Sequence, residues 1–245
     1  MKRHALLIAI ASFGCVFTLQ AQRAPQPRRI LFDTFVPILS RILPGDQWIV
    51  VTSGNPAPAF ASVAENAVVS EIVRHNPIIF TGRLVEKRPL FLRRRAGERS
   101  TEVIGPSANW IGSRVTMTID RIIQTVDALP LTTLQRLTFV EEGDGSTGAE
   151  GVRIDTETPW LEPLEEGRRY LITGRIRNGE FSSTGQWMEP ADGGPLRSRV
   201  RAAQVEPVGA GPNGKPKRLF EGVTLGEAAR QLEDEARRRR STSAL

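Results

Sequence analysis

In several stretches between Ile78 and Met188 apolar side chains recur at every second position, separated by glycines and by the polar excursion LRRRAGERSTEVIGPSANW, which reads as a long hairpin or loop. In SRVTMTIDRIIQTV, Val115, Met117 and Ile119 alternate with Thr116, Thr118 and Asp120. A period of two sends successive side chains to opposite faces of a strand, so the middle of the chain is excluded from a helical bundle. IIFTGRLVEKRPLFL follows the same rule, with Ile78, Phe80 and Leu84 on one face and Thr81 and Arg83 on the other. RLTFVEE, GVRIDTE, RRYLITGRIRNG and EFSSTGQWMEP read as shorter strands, and Asn178-Gly179 marks a tight turn between the last two. LRSRVRAAQVEPV offers a final strand. Many short antiparallel strands joined by glycine turns predict a mainly β barrel or sandwich.

Helices flank this region. Ser62 with Glu65 has capping-box spacing, Val69, Ile72 and Val73 supply an apolar stripe, and Asn76-Pro77 stops the helix. Near the C-terminus Thr224 and Glu227 repeat the capping box, with Leu225, Ala228, Ala229, Leu232 and Ala236 along one face. The predicted organisation is a signal peptide over 1–21, an N-terminal extension over 22–61, and a helix plus β-barrel over 62–208. A linker over 209–222 and an amphipathic helix with a basic tail over 223–245 complete it. Ile30–Leu43 is strongly apolar but interrupted by Pro37, and the pattern leaves open whether it serves the core or an interface.

Lys2 and Arg3 precede the apolar run Ala5–Leu19, and Ala21 offers a small residue for cleavage, so export to the periplasm or the cell exterior is expected. Cys15, the sole cysteine, would leave with that segment, taking with it disulfides, thiolate chemistry and cysteine metal ligands. The remaining histidine is His75, which excludes a multi-histidine zinc site and leaves one base for any Ser-His arrangement. Its place at a helix end suits the helix dipole.

The net charge of +6 raises the question of nucleic acid. Setting aside Lys2 and Arg3 leaves 31 basic against 27 acidic side chains, and without Arg237–Arg240 the body is balanced at 27 against 27. Aromatic residues are 6%, so the broad basic face interleaved with rings that a nucleic-acid reader needs is missing, and no specific nucleic-acid binding is expected. Two arginine clusters remain as candidate contacts for an anionic surface: Arg93, Arg94 and Arg95 in the loop after the first barrel strand, and Arg237, Arg238, Arg239 and Arg240 at the end of the last helix. EEGDGSTGAEG carries Glu141, Glu142, Asp144 and Glu150 around four glycines, but the spacing departs from the twelve-residue calcium loop and reads as a solvated hairpin loop. Ser146 and Thr147 within it form no nucleophile elbow, and no phosphate-cradling glycine motif with lysine is present.

FTGRL, VTMTIDRIIQTV, the loop EEGDGSTGAEG, and LEEGRRYLITG followed by NGEF together resemble a group of exported bacterial proteins. Their barrel is similar to the netrin-like, oligonucleotide/oligosaccharide-binding (OB) fold of tissue inhibitors of metalloproteinases. The likeness spans Ile78 to Val205 and implies a small closed antiparallel OB-like barrel with flanking α-helices, in which LEEGRRYLITG is a scaffold strand. Gly167 then lies in the turn, and Tyr170, Ile172 and Ile176 face the core. Those inhibitors use an N-terminal cysteine and a disulfide framework, which the mature chain lacks, so their mode of inhibition does not carry over. The expected function is a non-catalytic binding or interaction module, without cofactor, whose partner is a protein or another envelope component. The alternatives are a carboxylate-dependent hydrolase acting on envelope material and an anionic-surface adaptor.

Overall fold

The alternating stretches form two sheets in the computed structural model, which describes residues 26–52, 65–95, 100–104, 106–141, 144–158, 161–199, 219–220 and 222–243. Strands β1 (Arg28–Leu31), β2 (Trp48–Thr52), β7 (Asp144–Ala149) and β8 (Val152–Glu157) make the smaller sheet, in the order β1-β2-β8-β7. The larger contains β3 (Ile78–Arg93), β4 (Thr101–Glu102), β5 (Trp110–Gln124), β6 (Arg136–Glu141), β9 (Arg169–Arg177), β10 (Glu180–Met188) and β11 (Arg197–Ser198). Its order is β11-β10-β9-β3-β5-β6, with β4 against β3. Helices α1 (Glu65–His75) and α2 (Leu225–Ser243) and a 3-10 turn at Leu39–Arg41 complete the elements among the described residues. The protein is mainly β, and both sheets are open.

The long β3–β5 pair organises everything else. It runs from Ile79↔Gln124 to Leu92↔Trp110, with three register irregularities that bend it. Because it bends, one hairpin serves several cores. Near its start Ile78, Phe80 and Leu84 meet Val115, Met117, Ile119, Tyr170, Ile172 and Phe181 inside the curled larger sheet. At its far end Leu92, Trp110 and Ile111 pack against Ile49, Val51, Val152 and Ile154 of the smaller sheet. Tyr170 and Ile172 point inward as expected, Ile176 packs alongside, and Gly167 occupies its turn at φ +79.

The back of the larger sheet is covered by helices. Val69 and Val73 of α1 and Leu225, Ala228, Ala229, Leu232 and Ala236 of α2 close over Ile79 and Leu171. Thr81, on the face opposite Phe80, is buried beneath this layer, since the strand is covered on both faces here. At the end of α1 Ile72 O accepts from both the Asn76 N–H and Asn76 Nδ2, each at 2.9 Å, and Val73 O accepts from Gln124 Nε2 at 3.3 Å. The capping box of α2 forms as spaced: the Thr224 N–H donates to Glu227 Oε2 at 2.9 Å, and the Glu227 N–H returns to Thr224 Oγ1 at 3.4 Å. Donation from the Thr224 N–H and the Thr224 hydroxyl to Oε2 holds the Glu227 carboxyl below its ordinary value. Thr224→Ala should cost about 1 kcal/mol, read as a lower midpoint in urea unfolding with an unchanged slope. The corresponding Ser62 at the start of α1 lies outside the described residues.

Two features depart from the sequence reading. DGSTGA is strand β7 of the smaller sheet rather than a solvated loop. Glycine disfavours strands in general, but here the two sheets cross so closely that a Cβ on Gly145 would stand 2.6 Å from the Gly112 carbonyl oxygen. Secondly, β1, β2 and β8 pair in parallel, joining the N-terminal segment to a strand about 100 residues later. Alternation sets which face a residue takes and carries no information on strand direction.

Candidate functional site

At the far end of the β3–β5 hairpin, Asn109 gathers three segments. Its Oδ1 accepts from the Arg94 N–H at 2.7 Å, while Nδ2 donates to Arg94 O at 2.8 Å and to Thr34 O at 2.9 Å. The Ile38 N–H donates to Ala108 O at 2.7 Å, so the N-terminal segment is stitched to the loop leading into β5. Ile38 is buried there, with Ile30, Phe32, Leu39 and Ile42 packed around the same cluster. The remaining apolar residues of the segment turn outward. Phe35 is 92% exposed and Leu31 72%, and Ile104, two residues past β4, is 98% exposed. Within Ile30–Leu43, Ile30, Phe32, Ile38, Leu39 and Ile42 therefore serve the core, and Leu31 and Phe35 are presented to solvent.

A bidentate ion pair fixes the segment's shape. Arg28 Nε and Nη2 donate to the two Asp46 oxygens at 2.9 and 2.5 Å, and the Leu43 N–H adds a third bond at 2.8 Å. The Arg28 guanidinium holds the Asp46 carboxyl down to about 2. A carboxyl depressed when folded stabilises the fold above its unfolded value, about 3.9, and that contribution is lost as pH falls toward 2. Urea unfolding at about pH 6 and pH 3 should accordingly show a larger acid loss for the parent chain than for Asp46→Asn; equal losses would disprove the assignment.

The two arginine clusters are not brought together. Arg93 closes β3 opposite Thr101, and the Arg94 guanidinium lies over the rings of Phe32 and Trp110, at 5.1 and 5.0 Å from their centroids. Arg95 follows beyond the strand. Arg237–Arg240 lie near Gln124, at the opposite end of the β3–β5 ladder. Arg237 pairs with Asp234, and Arg238 and Arg239 share Glu235, each at 3.0 Å. Such exposed pairs contribute little to stability, but they offset part of the tail's charge.

One polar cluster escaped sequence reasoning altogether. Arg199, 2% exposed, donates Nη1 to Glu141 at 3.2 Å and to Gln186 Oε1, and Nε to Glu162 O at 2.7 Å. Gln186 Nε2 donates to Glu141 at 2.7 Å, so side chains link the last residue of β6 to β10. Arg199 Nη2 has no partner among the described residues. Nothing local announces this group, because its members lie 13 to 58 residues apart.

The carboxylates considered for calcium are dispersed. Glu141 is held by Gln186 and Arg199, Glu150 sits exposed in the β7–β8 turn, and Glu142 lies outside the described residues. Among the described residues no three His, Cys, Asp or Glu side chains converge as metal ligands would. The Ser146 hydroxyl donates to Asp155 at 2.5 Å, and Asp155 also accepts from Trp48 Nε1 at 2.9 Å. His75 is instead on α1, 2.8 Å from Glu71. No protein-family model, curated protein or solved structure matches the chain.

Proposed function

We propose that the protein is an exported, non-catalytic binding module. Its larger sheet acts as an OB-like barrel, akin to the netrin-like barrels, and its partner-binding surface is the end carrying Phe35 and Ile104. Support for the barrel lies in strand order. Counting β3, β5, β6, β9 and β10 as one to five gives the sequence 3-2-1-4-5 across the sheet. The successive antiparallel pairings then make the third and fifth strands run in the same direction. That order is the one an OB barrel closes, by bringing its third strand to its fifth. Here the two are bridged by the Phe139–Phe181 ring contact, with centroids 5.1 Å apart, and by Glu141 with Gln186 and Arg199. OB folds bind partners with the face of strands two and three and the loop between strands one and two, which corresponds to the loop bearing Ile104.

The observation that carries the reading is the near-complete exposure of Phe35 and Ile104 on two segments stitched together at that end. Large apolar side chains exposed on two joined segments mark a surface for a protein partner. The outward positions of β5 and β6 add Thr116, Thr118 and Thr138 with Arg114 and Arg136, a face of hydroxyls and guanidiniums without a ring. A pull-down from the producing cell's envelope extract tests the assignment, with the chain from Gln22 as bait. The parent bait should hold a partner through high-salt washes, Phe35→Ser/Ile104→Ser should lose it, and serine at Arg237–Arg240 should keep it. Capture that survives the double change, or that disappears with salt or with the arginines, contradicts the assignment.

A further inference from the structure

A groove of about 690 Å³ runs between the last turns of α1 and α2 and the end of β5, far from Phe35. Its floor is apolar, built from Val73, Ile123 and Ala236, with Ile122 beside them. Gln124 and Thr125 close one side. On the other side α2 presents Glu233, Ala236, Arg237 and Arg240, which recur at the spacing of one helical face. Arg239 lines it as well, with its guanidinium paired to Glu235.

The charges at this rim do not cancel. Glu233 is spoken for by Arg121, whose Nε and Nη2 donate to its two oxygens at 2.6 and 2.5 Å, an ion pair that also ties α2 to β5. Asp234 and Glu235 are then two acids facing the four arginines 237–240. Arg240 has no ion-pair partner among the described residues. A site with an apolar floor and surplus guanidiniums along one edge matches a ligand with an apolar body and a negative head. Its volume falls in the range of small-molecule sites, roughly 300–1,000 Å³.

We infer that this groove binds a single-chain amphiphile with an anionic head, of the fatty-acid or lysophospholipid class. The chain lies along Val73, Ile122 and Ile123, and the head is held between Arg237 and Arg240, where guanidiniums make charge-assisted hydrogen bonds to carboxylate or phosphate oxygens. This assignment uses residues distant from the Phe35–Ile104 surface and stands independently of it. It also gives the terminal arginines separate roles: Arg237 and Arg240 face the groove, while Arg238 points to solvent, with a side chain 74% exposed.

Titrating the purified chain with dansyl-undecanoate and following the blue shift of its emission reads the interaction directly. Saturable binding displaced by oleate is expected. Arg237→Ser/Arg240→Ser should weaken it by more than about tenfold, and Arg238→Ser should leave it unchanged. All three side chains are exposed, and far-ultraviolet circular dichroism of each variant checks that α2 is intact. A second arm replaces the probe with phosphatidylglycerol–phosphatidylcholine vesicles. Absence of saturable probe binding, equal weakening by Arg238→Ser, or attachment to vesicles without binding of the monomeric probe would each overturn the groove assignment, the last in favour of simple adhesion to an anionic surface.

Discussion

Arg199→Met is expected to destabilise the protein by about 3–5 kcal/mol, the cost of removing one partner from a buried ion pair. The Arg199 and Glu141 side chains are 2% and 11% exposed, so methionine leaves a carboxylate nearly without water and without its counter-ion. Gln186 would lose its acceptor-side partner as well, and the β6 and β10 ends of the curled sheet would lose the side chains that hold them. Removing both charges tests whether the cost is electrostatic. Arg199→Met/Glu141→Met should recover much of the loss, because an apolar pair of similar size is often neutral or better in place of a buried ion pair. If the double variant is as unstable as the single one, the seam is held by packing and the ion pair is incidental.

Trp110→Ala should cost about 3–5 kcal/mol, the usual penalty for emptying a large buried aromatic site. Trp110 is fully buried where the β3–β5 hairpin passes under the smaller sheet. Phe32 meets its ring edge-on at 5.2 Å, and the Arg94 guanidinium covers it at 5.0 Å. Truncation therefore removes the surface on which Phe32 of the N-terminal segment and Arg94 both rest. For a chain of this size a melting temperature lower by roughly 10 °C is expected. Trp110→Phe should recover most of it. A local effect is expected too: cleavage by added protease should appear first within Ile30–Leu43, since that segment loses its anchor while the helices on the other side of the larger sheet keep theirs.

How much of this could be read beforehand follows from where each signal resides. Local patterns were legible. The Thr224–Glu227 box, the α2 stripe and the Asn178-Gly179 turn, with φ of +53 and +81, each depend on residues within one or two turns of chain. The alternation of β5 and the inward set Tyr170 and Ile172 were legible for the same reason. What was not legible depends on distant partners. Gly145 reads as loop until Gly112 is known to lie against it. Arg199 reads as one surface arginine among many until Glu141 and Gln186 arrive from other strands. The same holds for the arginine clusters. Sequence identified them, but only the β3–β5 ladder sets them at opposite ends and separates a stacked Arg94 from a groove-facing Arg240.

The central claim is that the Phe35–Ile104 end is where a protein partner docks, and site-specific photocrosslinking in the producing cell tests it most directly. Benzoylphenylalanine would be placed at Phe35, at Ile104, and at Leu134, which is 76% exposed in the turn before β6. The account predicts one shared crosslinked species from positions 35 and 104 and none from 134. No crosslink from 35 or 104, or the same pattern from all three positions, would contradict it.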